Sequence, residues 1–366
     1  MQFHDLIEEI IAAIPRDSIP EVEQVQDIVE EKLIAGGFAK TAKAYILYRA
    51  EHTKVRKSEA DLVKIYQELT FSSAADADMK RENANIDADT AMGTMLKYGS
   101  EGANYFVDNY ILPKDIAAAH INGDIHIHDK DFYMLTETCC QIDLIKLFKD
   151  GFCTGHGYIR EPNSIKSYAA LACIAIQANQ NEMHGGQSVP NFDYAMAEGV
   201  VRTFRKEYFK AMEKYARVKF DVDAETASEF IHTMKNALGT GVRMGTADEY
   251  GKKLEDWVNG GGILCGERVL LAEDMRKAHG TVVDMALKET EGETYQSMEA
   301  LIHNLNTMNS RAGAQVPFSS VNYGTDCSPE GRMVIKNLLL ATDAGLGNGE
   351  TPIFPVQIFK VKEGVN

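Results

Sequence analysis

The sequence has no apolar run approaching the ~20 residues that a membrane-crossing helix needs. Its start, MQFHDLIEEIIAAIPRD, lacks the basic region and cleavage site of a secretory signal. Neither a membrane span nor export is expected, and the chain reads as cytoplasmic. It also lacks basic charge: 38 Lys and Arg face 54 Asp and Glu, a net charge of −16. Nucleic acids and anionic membranes are therefore poor partners, although a local basic patch could hold a phosphorylated small molecule. None of its six cysteines, at 139, 140, 153, 173, 265 and 327, forms a Cys-x-x-Cys pair, so no metal site is assigned. In a reducing compartment these thiols stay free, and most read as core residues. There is no nucleophile elbow, no His-Glu-x-x-His motif and no kinase loop. What the 366 residues do have is 45% hydrophobic content, enough for a real core and against wholesale disorder.

The length suits two domains, or one large domain with an appendage. Residues 1–55 read as helical: Ser18-Ile19-Pro20-Glu21 resembles a cap with Pro in the first turn, followed by Val22, Val25, Ile28, Val29 and Leu33 at helical spacing. Gly36-Gly37 ends that helix, and a second is expected over 41–49. Residues 56–80 are polar and charged and read as a linker carrying one short helix. From residue 81 on, expected helices (101–121, 164–183, 194–217, 225–238, 266–289, 293–309 and 329–344) alternate with strand-like runs at 123–129, 314–324 and 351–362, which predicts an α/β architecture.

Several segments could carry chemistry. In Ile125-His126-Ile127-His128-Asp129 a strand's period of two would place both histidines on one face. They would wall a polar site, ligate a metal, or simply line a barrel interior with hydrogen-bonded rings. Cys139 and Cys140 are adjacent, so in an extended strand at most one thiol can face a given site; two core thiols are the simpler reading. Gly185 and Gly186, in HGGQSVPN, would form a turn after a long apolar helix, either approaching a phosphate or only capping the helix. Ala344-Gly345-Leu346-Gly347-Asn348-Gly349 is neither a Walker A loop nor a dinucleotide fingerprint. Ser319 and Ser320 enter a strand from SRAGAQVPFSS, where hydroxyls and amides could meet phosphates or merely make a tight entry.

Taken together, ENAN at 82–85, GDIHIHDKDF, TCCQIDL, GFCTGHGYIREPNSI, HGGQSVPNFD, SRAGAQVPFSSVNYGT and GLGNGETPIFPVQIFKVKEGVN resemble, in order, the anaerobic (class III, glycyl-radical) ribonucleoside-triphosphate reductases. The resemblance covers about residues 81–366. Residues 19–49 resemble the second half of an ATP-cone, the regulatory module at the start of many such reductases. The resemblance implies a fold: the first half of a ten-stranded α/β barrel, preceded by a helical ATP-cone remnant. It also implies a chemistry. A glycyl radical generates a thiyl radical on a finger-loop cysteine, which takes the ribose 3′ hydrogen while the 2′ hydroxyl leaves as water. Formate is the expected reductant, though some members use a thioredoxin-type dithiol. An iron–sulfur enzyme using S-adenosylmethionine is the expected activating partner. ATP and deoxynucleotides would act as effectors on a homodimer. Carried over residue by residue, Cys139 matches the barrel cysteine of the reductive half-cycle, and Cys140 stays structural. His126, His128, Gly185, Gly186, Ser319 and Ser320 are expected to wall the substrate site. Glu161 and Lys206 flank the helices that resemble the effector-binding dimer helices, and Asn83 and Asn85 precede the first barrel helix.

The family's Met-Gly-Cys-Arg finger, its C-terminal cysteine zinc site and its Arg-x-x-Gly-Tyr radical loop do not occur in these residues. Neither does the first half of the ATP-cone with its Lys-Arg-Asp-Gly-type hairpin. The sequence is accordingly expected to be a fragment, inactive by itself. The alternative function is a non-catalytic nucleotide-binding or dimerisation fragment of a split or truncated gene. A formate-lyase relative is a weaker alternative, since the HIHDKDF segment and the ATP-cone resemblance favour nucleotide reduction.

Overall fold

The structure is a computed structural model that describes residues 3–15, 19–71, 89–133, 137–261, 263–311 and 313–366. The Ser18 cap position and Asn83 and Asn85 lie outside these residues. Contacts divide the chain into two compact units, residues 1–84 with 94–131, and residues 85–93 with 132–366.

The first unit holds α1 (Phe3–Ala13), α2 (Val22–Ala35), α3 (Ala39–Phe71), most of α4 (Ala91–Phe106), a π turn at Val107–Ile111 and α5 (Lys114–Ile121). Pro20 precedes α2 instead of entering its first turn, and the Glu21 amide donates to Gln24 Oε1 at 3.0 Å. Leu6, Leu33 and Ala42 make a small core. Outside that core, Arg49 of α3 is ion-paired with three carboxylates on one face of α2: Asp27 at 2.6 Å, Glu30 at 3.0 Å and Glu23 at 3.1 Å. These carboxylates raise the Arg49 pKa. The helix expected over 41–49 runs on to Phe71, through much of the expected linker. Nothing between Ala39 and Phe71 is Gly or Pro, so nothing breaks it.

A second expectation needs correction. Residues 123–129 form no strand. Gly123 (φ 81°) and Asp129 (φ 52°) adopt left-handed conformations at the two ends, and the Ile127 amide donates to His120 Nδ1 at 3.3 Å. The segment is an irregular loop folded over the end of α5.

The second unit is an α/β layer. Its sheet has four parallel strands in the order β1 (Thr138–Gln141), β4 (His184–Val189), β7 (Ser319–Tyr323) and β8 (Val356–Phe359). Two short antiparallel ribbons, β2–β3 (Phe152–Cys153, Tyr158–Ile159) and β5–β6 (Leu264–Cys265, Arg268–Val269), stand apart from it. The connecting helices are α6 (Leu144–Lys149), α7 (Ile165–Asn179), α8 (Phe192–Lys219), α9 (Ala224–Leu238), α10 (Ala247–Gly261), α11 (Ala272–Thr307) and α12 (Pro329–Ala344). Starts are written locally. Ser328 accepts from the Gly331 amide at 3.0 Å with Pro329 at the first helical position, and Asp223 accepts from the Thr226 amide at 2.8 Å.

One face of the sheet packs on helices: Val189, Val321 and Tyr323 join Ile176, Met196 and Leu301 in the main core. A second core, around Phe204, Tyr208, Met234, Leu254 and Met275, ties the far halves of α8 and α11 to α9 and α10. The two helices expected over 266–289 and 293–309 are one rod, α11. Gly292 sits inside it with nothing near a hypothetical Cβ, and a lone helical Gly costs only about 1 kcal/mol. α10 was not expected from the sequence. Its Gly251 is required by packing, since a Cβ there would lie 2.7 Å from the His279 ring.

Candidate active site

The HGGQSV segment is a central strand, not the turn at a helix end that the sequence suggested; α7 already stops at Asn179. On β4, Gln187 and Val189 point to the core while Gly186 and Ser188 face outward half-buried; on β7, Ser319, Val321 and Tyr323 point in while Ser320 and Asn322 face out. Ser188 donates to Asn322 across the open face at 3.2 Å. A hollow of about 350 Å³ lies here, lined by Cys139, Cys140, Gly186, Ser188, Phe318 and Ser320 among others.

The pairing of β1 with β4 is irregular beside the two thiols. β1 and β4 are in register at Thr138–His184 and again at Cys140–Gln187, so β4 advances one residue more than β1. At this bulge Cys139 has φ 51° and Gly185 φ 89°. A Cβ on Gly185 would sit 2.9 Å from Cys139 Sγ, so only glycine lets the sulfur lie against this backbone. Both residues border the hollow, but the Cys140 sulfur turns to the helix side, where it accepts from Asn179 Nδ2 at 3.0 Å. Cys139 is exposed and Cys140 half-buried, whereas Cys173 and Cys265 are buried. Burial pushes the Cys173 thiol up to about 12 and raises Cys265 as well. The reactive form of a thiol is its thiolate, so these two are inert.

Gly186 meets the Phe318 ring, 3.3 Å from a hypothetical Cβ, and Ser320 lines the hollow. Ser319 lies on the opposite, helix-side face, fully buried, and its Oγ has no hydrogen-bond partner. His126 and His128 belong to the other compact unit, ring centroids 5.7 Å apart, with His128 78% exposed and 3.3 Å from Asp129. Glu161 is ion-paired to Arg202 of α8, which also binds Glu198 at 3.2 Å and the Pro162 carbonyl at 2.9 Å. Lys206, one turn further along α8, is 62% exposed. Neither lines the hollow. Among the described residues, no group of three or more His, Cys, Asp or Glu could hold a metal ion.

Gln187 and Asn179 were not singled out in the sequence, yet they hold the thiol strand. Asn179 Nδ2 donates to Gln187 Oε1 at 2.8 Å and to Cys140 Sγ at 3.0 Å. Gln187 sits beside the Gly-Gly pair, which was the only local sign.

The order of these segments decides the family. The family model described as anaerobic ribonucleoside-triphosphate reductase matches residues 82–366, and that of the ATP cone domain matches residues 1–54. The chain belongs to the anaerobic ribonucleoside-triphosphate reductase family. It is 24% identical over 349 residues to the reductases of that name from Haemophilus influenzae and Escherichia coli, covering 94% of this chain and 40% of each relative. To the reductase of enterobacteria phage T4 it is 25% identical over 299 residues, covering 79% of this chain and 38% of the relative. The chain thus spans about 40% of the length of the family members it matches. A crystal structure of the Thermotoga maritima anaerobic ribonucleotide reductase in complex with dATP and CTP aligns with a TM-score of 0.39 and 10% identity, over 79% of this chain and 40% of that one. The chain combines a segment matching the reductase model with one matching the ATP cone model, and its α/β class agrees with that assignment. No helix among the described residues is long and apolar enough to cross a membrane.

Proposed function

We propose that this chain supplies a reducing thiol and part of the substrate wall for the anaerobic reduction of ribonucleoside triphosphates to deoxyribonucleoside triphosphates, for DNA synthesis in the cytoplasm. The observation that carries the proposal is the placement of Cys139: a bulge against Gly185 turns an exposed thiol onto a hollow large enough for part of a nucleotide. In this reading Cys139 serves the reductive half of a glycyl-radical cycle. Gly186 and Ser320 approach the substrate closely, and Gly185 keeps the space that the sulfur needs. Ser319, buried behind the strand, supports the wall from the core side, while the substrate-binding role of His126 and His128, in the first unit, rests on the family resemblance alone. Formate is the reductant, and a S-adenosylmethionine iron–sulfur enzyme installs the radical. ATP and deoxynucleotides tune a homodimer through the ATP-cone segment and through the surface around Glu161 and Lys206. Zinc belongs to the family's C-terminal cysteine site.

The test is anaerobic turnover by the activated polypeptide that carries this sequence, with formate and a ribonucleoside triphosphate. Cys139→Ser is expected to lower deoxynucleotide formation by about a thousandfold or more, as loss of an essential reacting group does. Cys140→Ser, which keeps an acceptor for Asn179, is expected to stay within about tenfold of the parent. Full formate-dependent turnover by Cys139→Ser would sink the assignment.

A further inference from the structure

We propose that Asn179 is a positioning residue for the Cys139–Cys140 thiol pair: it staples the strand register that turns Cys139 outward. The functional consequence rests on reading Cys139 as the working thiol; the geometry stands without that reading.

The argument starts from the bulge. Between Thr138–His184 and Cys140–Gln187, β1 advances two residues and β4 three. The mismatch is absorbed by Cys139 and Gly185, both with positive φ. Such an irregularity leaves a parallel pair free to slip unless something fixes where pairing resumes. It resumes at Cys140 and Gln187, and there one amide reaches across both strands. Asn179 is the last residue of α7, so its backbone is anchored by Ile176 and the helix core. Its Nδ2 has two hydrogens, matching its two acceptors: Gln187 Oε1 at 2.8 Å on β4 and Cys140 Sγ at 3.0 Å on β1.

The staple lies out of reach of solvent on its β4 side. Gln187 is 2% exposed, and its Nε2 has no partner, so the bond from Asn179 is the one its side chain makes. Asn179 itself is half-buried, but without its donor the buried Gln187 side chain loses its hydrogen bond, which is costly at a buried position. Once the staple is gone, β1 can move by one residue against β4. With a side-chain period of two, a one-residue slip exchanges the faces of Cys139 and Cys140. Asn179 therefore acts through Cys140 on Cys139, without itself lining the hollow.

The six cysteines provide the measurement. Alkylation of the folded, reduced 366-residue chain is followed for each cysteine by mass spectrometry. Cys173 and Cys265 report on unfolding because they are buried; Cys153 and Cys327 are exposed controls. In Asn179→Ala and in the near-isosteric Asn179→Asp, which removes both donors, alkylation of Cys140 is expected to rise about tenfold, the size of one lost buried hydrogen bond. The Cys139-to-Cys140 rate ratio falls with it, while Cys173 and Cys265 stay protected. A change of less than threefold at both Cys139 and Cys140 in Asn179→Asp overturns the proposal. So does opening of Cys173 and Cys265 in step with Cys140 in both variants, which makes Asn179 merely structural. Should Asn179→Ala alone unfold, Asn179→Asp decides. The readout does not involve turnover, so its failure leaves the role of Cys139 untouched, and a fully active Cys139→Ser leaves the staple untouched.

Discussion

Single residues set the geometry of this site, and some do so by having no side chain. Gly185→Ala places a methyl group 2.9 Å from Cys139 Sγ at a φ of 89°. A loss of about 1–3 kcal/mol in urea unfolding is expected, with a changed alkylation rate at Cys139 marking the displaced sulfur. Asp193 is a second such point. It is 1% exposed, and its Oδ2 accepts from the amides of Gly324, Thr325 and Asp326 at 2.8, 3.1 and 3.0 Å, fastening the start of α8 to the end of β7. Asp193→Ala strands three buried or partly buried amides, and a loss of about 3 kcal/mol in denaturant unfolding is expected. At this scale the sequence was legible in part. The Gly-Gly pair announced a close backbone approach, but the approach is to a cysteine of the neighbouring strand. Adjacency of Cys139 and Cys140 suggests opposite faces, but the register mismatch that sets Cys139 against Gly185 has no local mark in either strand.

At the scale of elements, helices were more legible than strands. α12 begins and ends where its Ser-Pro start and following Gly345 place it. The sequence predicts two helices over 266–289 and 293–309, yet residues on both sides of Gly292 pack on α8 and one helix runs through. DIHIHD at 124–129 alternates as a strand does, but no strand among the described residues pairs with it, and alternation alone does not build a ladder. One pH dependence belongs to this scale. His279 of α11 is buried beside α8 and α10, with Nδ1 2.8 Å from the Tyr208 hydroxyl. Desolvation holds its pKa below 6.5, against weaker opposing effects of the Ala247 backbone, Asp248 and Glu255. The unfolded chain therefore binds a proton more readily than the folded one. The stability contributed by neutral His279 is full above about pH 6.5 and is lost as pH falls toward and through the lower folded value. Chemical denaturation from pH 7.5 to 5 is expected to show this decline, and His279→Gln to flatten it.

At the scale of the whole molecule, the parallel sheet of the second unit packs one face on the unit's own helices, while the residues of its other face are half-buried or exposed among the described residues, although parallel sheets are generally buried on both faces. Val356 and Ile358, each 43% exposed, extend the open face beside Ser320 and Asn322. The folded chain is expected to bind an apolar fluorescent dye there, and the double substitution Val356→Lys with Ile358→Lys to remove most of that signal without changing the unfolding midpoint by more than about 1 kcal/mol. The layered α/β plan was legible from alternation of helices and strands. What was not legible is that two separate cores share the same pair of rods. α8 and α11 each pack at one end on the sheet and at the other on α9 and α10. At 1.5 Å per residue, the 36 residues of α11 reach about 54 Å. A tilt of roughly one degree at its distal end is then a displacement of about 1 Å at the other. α11 is in that sense a lever arm, and anything that grips the second core has mechanical purchase on the strands that carry the thiols.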